Sequence, residues 1–276
     1  ASIIGTAVDI ENLQVLSLTS TGASSSLTVA DLGGTTDGQL TSLTVSAGDS
    51  STTTIGDIGS DQSSTVTSMS IAATGANSTI DMTADTSITF GTGTITSGSI
   101  NIADNSTLLF DAQSVISGTI TAMGFTFGDY TTIDDSGSAG DDLTFTGGMT
   151  TASITLGRGI TNAAGDDIVV SGTITTLNLS TSLNNEAIAM ASDNDLSYGG
   201  AEMFLLGTVG SASYTHTGTG TLNWDGSTIA TANTISSNTS SSSGDTIIGG
   251  AGNDTITGNI GANDLQGGAG NDSITA

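Results

Sequence analysis

The chain is 276 residues long and carries 27 acidic side chains against a single basic one, Arg158, for a formal charge of −26. Without lysine it cannot displace counter-ions from phosphates, so nucleic acid is excluded as a partner, and the absence of cysteine removes disulfides and thiolate metal sites. No apolar run approaches the roughly 18 residues of a transmembrane helix, and no charged-then-apolar leader opens the chain, so a soluble, mature or trimmed piece is expected.

From the N-terminus onward one short phrase recurs: Glu11 to Leu18, Gly38 to Val45, Ser64 to Ile71, Gly93 to Ile102, Gly118 to Phe127, Gly147 to Leu156 and Gly172 to Leu179. Its starts fall 25 to 29 residues apart, a period that points to a solenoid. Within each phrase apolar and polar residues alternate, as in Leu40-Thr41-Ser42-Leu43-Thr44-Val45, the pattern of a strand with one buried face. A coil of this length holds three short strands joined by Gly/Asn/Asp turns, so the predicted fold is all-β, a parallel β-helix. The absence of proline agrees, because proline would remove a ladder hydrogen bond in nearly every coil. A two-sheet sandwich is the alternative, and the regular period disfavours it.

Acids gather in the turns: Gly56-Asp57 with Asp61, Gly128-Asp129, Asp134-Asp135, Gly140-Asp141-Asp142 and Gly165-Asp166-Asp167. In the last two a Gly and an Asp keep a fixed spacing ahead of Leu143 or Val169, so Asp141, Asp142, Asp166 and Asp167 are additional candidate metal ligands. From about Asn184 the phrase degrades, and the bulkier apolar residues between Glu186 and Gly210 predict an insertion or a distorted rung. The Ser-rich stretch from Asn238 to Ser243 marks the expected boundary between a solenoid over residues 1–239 and a distinct segment over 240–276.

That segment ends in three nine-residue units, beginning at Gly249, Gly258 and Gly267. They follow G-G-x-G-x-D-x-U-x, the calcium nonapeptide of RTX proteins. Glycines let the backbone turn and aim carbonyl oxygens inward, the aspartate adds a hard anionic oxygen, and the aliphatic residue buries itself between turns. The predicted calcium ligands are Gly249, Gly250, Gly252, Asn253 and Asp254 in the first unit and Gly261, Asn263 and Asp264 in the second. Gly267, Gly268, Gly270, Asn271 and Asp272 follow in the third, and Asp245 in a degenerate preceding unit. Nine residues make half a coil of a β-roll, so Asp254 should stack over Asp272 and Asp245 over Asn263. The middle unit departs from the pattern at Asn259, Ile260 and Asn263, with Asp264 one place late, which predicts a weaker site. Two carboxylates about 4 Å apart cost roughly 4 kcal/mol at an effective dielectric near 20, so stacked aspartates need a cation between them.

Catalysis finds little support in the residue types. Lyases and epimerases built on β-helices need cationic groups and a base, and only Arg158 and His216 are at hand, in different coils. Arg158 is expected to pair with a neighbouring acid on the solenoid wall and His216 to be an ordinary surface histidine. No nucleophile-elbow motif is present, and the expectation is a non-enzyme.

Taken with the Ser/Thr-rich alternating strands, the absence of cysteine and lysine, and phrases such as Asp9-Ile10-Glu11-Asn12-Leu13 entering a strand, the units from Gly249 to Thr275 resemble the RTX surface-layer proteins of the Caulobacter type. The resemblance implies type I secretion, an extracellular cell-surface location, and a β-solenoid that assembles with copies of itself into a calcium-dependent lattice. It also implies anchoring to lipopolysaccharide through a region not evident in this sequence. A solenoid segment of a large calcium-dependent RTX adhesin, binding a host, a polymer or ice, is the alternative.

Overall fold

The computed structural model describes residues 2–4, 14–29, 40–55, 66–82, 94–110, 115–116, 118–135, 142–162, 167–181, 188–190, 196–198, 201–206 and 208–276. Among these there is no helix, and the strands form a parallel β-solenoid of three sheets. The recurring phrases supply the first seven strands of an eleven-stranded long sheet, from Val15–Ser20 to Ile174–Thr181, and Val209–His216, Thr234–Ser236, Thr255–Thr257 and Ser273–Thr275 complete it. A seven-stranded early sheet runs from Ser2–Ile4 to Thr161–Asn162, and a nine-stranded late sheet from Val115–Ile116 to Asp264–Gly268.

Strict alternation fixes the register, because a slip of one residue would turn every apolar side chain outward. Leu18, Val45, Ile71, Ile100, Phe125, Ile154, Leu179, Tyr214, Ile235, Ile256 and Ile274 pair in succession as one inward column of the long sheet. Every member down to Ile256 is buried. Gly98 makes room in the neighbouring column, since a Cβ there would stand 2.6 Å from Met123 Sδ.

Coil length changes along the stack, and the core changes with it. Backbone links between adjacent coils span 25 to 29 residues in the first part, as from Asp129 to Asp104 and from Arg158 to Asp129. They shorten to 21 between Ala212 and Asn233 and to 18 between Asp254 and Asp272. Where coils feed all three sheets the interior is wide, and Phe125 meets Phe145 and Phe204 edge-to-face, each with ring centroids 5.5 Å apart. Among the described residues only the long and late sheets continue beyond residue 162; Phe204, Tyr214 and Trp224 still fill the interior there, and in the shorter coils that follow isoleucines such as Ile235, Ile247 and Ile256 replace them. Both remaining sheets cross residues 239 and 240 without a break.

The bulky stretch after residue 184 is an insertion. Ile174 pairs with Val209, and the extra residues add two strands to the late sheet: Ile188–Met190, parallel to Leu222–Asp225, and Leu196–Tyr198, which runs antiparallel to both of its neighbours. They lie between Ala201–Leu206 and Leu222–Asp225, so the sheet stays filled while the long sheet advances one rung.

His216 is not on the surface. Alternation from Ala212 through Tyr214 points it inward, where it pairs in register with the buried Thr181, is 1% exposed and stacks on Tyr214. The surface position expected for His216 from the sequence is thus corrected to one in the core, because it falls on the inward phase of its strand. Tyr214 donates to or accepts from Thr181 Oγ1 at 2.8 Å, and burial pushes its phenol pKa up.

Between the long and early sheets a four-residue corner repeats: Gly48-Asp49-Ser50-Ser51, Gly75-Ala76-Asn77-Ser78, Ala103-Asp104-Asn105-Ser106 and Gly128-Asp129-Tyr130-Thr131. The third residue of each adopts a left-handed φ between 52° and 58°. The fourth residue of each is buried, and its hydroxyl bonds backbone carbonyls of its own corner or of the corner in the preceding coil, Ser51 Oγ donating to Gly48 O at 2.8 Å and Ser106 Oγ to Gly75 O at 3.0 Å. Asp104 Oδ1 accepts from Asp129 N and Asp129 Oδ1 from Arg158 N, both at 2.8 Å, tying each coil to the next. Arg158 also pairs with the Asp129 side chain, as expected, and holds that carboxyl below its usual range.

Truncating Phe125 to alanine removes a ring shared by two sheets and should cost about 3–5 kcal/mol. Urea denaturation followed by circular dichroism measures it, and a loss under about 1 kcal/mol would contradict this packing.

Candidate calcium site

Each late-sheet strand of the tail turns into the next long-sheet strand through a glycine-rich loop, 251–254 after Thr246–Gly250 and 269–272 after Asp264–Gly268. The glycines are dictated by backbone and space. Gly250 and Gly268 have φ of +137° and +94°, which other residues adopt only with strain. A Cβ on Gly249 would stand 2.5 Å from both Asp254 Oδ2 and the Gly267 carbonyl oxygen, so the carboxylate of one turn and the carbonyl of the next converge on that spot.

Carboxylates and amides stack in two columns, one on each edge of the tail. In the first, Ala212 N donates to Asn233 Oδ1 at 3.1 Å, Asn233 N to Asp254 Oδ1 at 2.6 Å, and Asp254 N to Asp272 Oδ1 at 2.9 Å. In the second, Leu222 N donates to Asp245 Oδ1 at 3.0 Å and Asp245 N to Asn263 Oδ1 at 3.1 Å. Asp254 therefore lies over Asp272 and Asp245 over Asn263. Asn253 Oδ1 accepts from Asn271 N at 2.8 Å on the exposed shoulder of the first edge. Gly252 and Gly270 belong to the same turns, whereas Gly261 lies on the second edge and donates from its backbone to Asn259 Oδ1 at 2.7 Å. Asp264 joins neither column: it opens the strand Asp264–Gly268 and its exposed side chain bonds Gln266.

Asp254 is the chemical anomaly. It is 1% exposed, and its Oδ2 is buried without a hydrogen-bond partner. Burial, with the charge of Asp272 below it, raises its pKa against the lowering effect of the Asn233 backbone bond. An unmatched buried anion is costly unless a cation meets it. Among the described residues no three Asp, Glu, His or Cys side chains cluster around a metal position. The donors are one carboxylate per turn with backbone carbonyls, a hard-oxygen set that suits calcium, which takes carbonyl and carboxylate oxygens together.

Of the additional candidates upstream, Asp142 and Asp167 pair in register at the start of adjacent late-sheet strands. Asp57, Asp61, Asp141 and Asp166 lie outside the described residues. Asn233 and Asn259 were missed from the sequence. Asn233 falls 21 residues before Asp254, off the tail's 18-residue spacing, and Asn259 looked like a damaged glycine position.

The RTX calcium-binding nonapeptide repeat matches residues 239–274 in four copies. No curated protein and no solved structure matches the chain. The tail thus carries RTX repeats and its ion is calcium, and repeats of this kind typically occur in secreted extracellular proteins. Among the described residues no helix is long and apolar enough to cross a membrane.

Chelation should loosen the tail before the upstream coils, since Asp254 and Asp272 lose their counter-ion. Trp224, the chain's one tryptophan, pairs with Ile247 of the tail, so its emission should red-shift at a lower temperature than the main circular dichroism transition. Coincident transitions after complete chelation would oppose this. The raised pKa of Asp254 sets the sign of the pH effect. In chelator the penalty is absent below the ordinary carboxyl value of 3.8 and develops as pH rises from there toward the raised value. The chelated tail should therefore melt higher at pH 4 than at pH 7, and the calcium-loaded tail the reverse, because protons compete with the ion.

Proposed function

We propose that the chain is a structural, non-catalytic module of a calcium-dependent surface array, an S-layer, which assembles outside the cell from copies of itself. The observation that carries this reading is the distribution of charge. The eleven strands of the long sheet contain no Asp, Glu, Lys or Arg, although the chain as a whole bears a charge of −26. Their outward columns are mostly small and polar, as in Ser17, Thr44, Ser70, Ser99, Gly124 and Ser153. Like-charged copies repel one another over most of their surface. A charge-free face running the length of the solenoid lets them approach, and the acids at the coil edges are then available for calcium between neighbours.

Two further facts support a non-catalytic role. Arg158 is engaged by Asp129, and His216 lies in the core beside Tyr214, so neither side chain is offered to a substrate.

Calcium added to the purified protein should produce ordered sheets or filaments in electron micrographs. Monomers that merely stiffen would instead favour the adhesin segment. Replacing Ser153 and Thr155 with aspartate places charge on the outer face and should abolish assembly while leaving the melting temperature within a few degrees. Assembly unaffected by both charges would remove the long sheet from the interface.

A further inference from the structure

The two edges of the tail treat equivalent atoms differently. On the first, Asp254 Oδ2 is buried and bare. On the second, Asp245 stands in the same place, immediately ahead of a strand, and is also 1% exposed. Its Oδ2 accepts a hydrogen bond from Asn259 Nδ2 at 2.7 Å, and the same nitrogen donates to the Ser243 carbonyl at 2.6 Å. The Asn259 carboxamide therefore links a carboxylate to a backbone carbonyl of the neighbouring turn, the kind of oxygen pair that a calcium ion draws together.

The orientation of that carboxamide is fixed by its surroundings. Gly261 N donates to Asn259 Oδ1 at 2.7 Å, so the oxygen faces its own turn and the NH₂ faces Asp245. Asn263 Nδ2 closes the ring by donating to the Asn259 carbonyl at 2.7 Å. Asn259 is 3% exposed, so a cation entering here would strand buried N–H donors and meet oxygens already bonded to hydrogen. Asn259 occupies the second position of its unit, where Gly250 and Gly268 stand in the other two and have no side chain to fill the space.

We infer that the Asn259 carboxamide takes the place of calcium on this edge, so that the tail loads calcium only along the Asp254/Asp272 edge and the Asp245/Asn263 edge folds without metal. The middle unit is then not a weak calcium site but a metal-free lock. The inference rests on calcium binding at Asp254 and is independent of whether the protein assembles.

Calcium stoichiometry of the full chain, measured by isothermal titration on wild type, Asp254→Asn and Asp245→Asn, tests it. Asp254→Asn should bind one ion fewer than wild type, and Asp245→Asn the same number. Loss of one ion in Asp245→Asn, with Asp254→Asn behaving as expected, would overturn the lock while leaving calcium binding intact. Hydrogen exchange on the wild-type chain in chelator decides without any variant. The Asp245 and Gly261 amides should stay protected while the Asn271 and Ser273 amides exchange at least tenfold faster than with calcium. Equal loss of protection on both edges would refute the inference.

Discussion

In-register parallel stacking is the constraint on which the whole molecule depends. Each coil buries its apolar face only against the coils beside it, so the same position must recur rung after rung, as from Leu18 to Ile274. The rule that stacks isoleucine on isoleucine also stacks acid on acid, and in a chain of charge −26 that repulsion would add up along every acidic column. The architecture follows from how each column escapes it.

Four solutions are visible. The long sheet omits charge altogether and presents small, mostly hydroxyl-bearing side chains to solvent. At the corners, Asp104 and Asp129 accept the backbone N–H of the next coil, so each carboxylate faces a dipole of the coil below. The column then ends on Arg158, whose guanidinium compensates Asp129. In the tail, Asp254 and Asp272 keep the backbone bond, Asp254 adds a buried oxygen with no hydrogen to meet it, and the calcium of the RTX repeats is the charge available to compensate it. Asn259 provides the fourth solution, replacing an ion with the NH₂ of a neutral amide.

These solutions also order the molecule along its axis. Wide coils with three sheets hold a Phe cluster and gain most from burial, whereas the narrow two-sheet coils of the tail have little interior and depend on electrostatic compensation. The inserted strands between residues 188 and 198 sit where the coil narrows, keeping the late sheet continuous as one side of the solenoid is lost.

Much of this was legible in the sequence, because a strand's face is set by a period of two and a coil's length by the spacing of its phrases. Those local rules determined the parallel solenoid, the buried columns, the calcium turns, and the stacking of Asp254 on Asp272. What they could not decide depends on partners supplied from other coils. The inward direction of His216, the bare oxygen of Asp254 and the occupied one of Asp245 are contacts across 14 to 35 residues of chain. Asn259 read as a worn glycine because a motif records residue types, while its amide acquires a role only when Ser243 and Asp245 of the neighbouring turn are brought within hydrogen-bond reach.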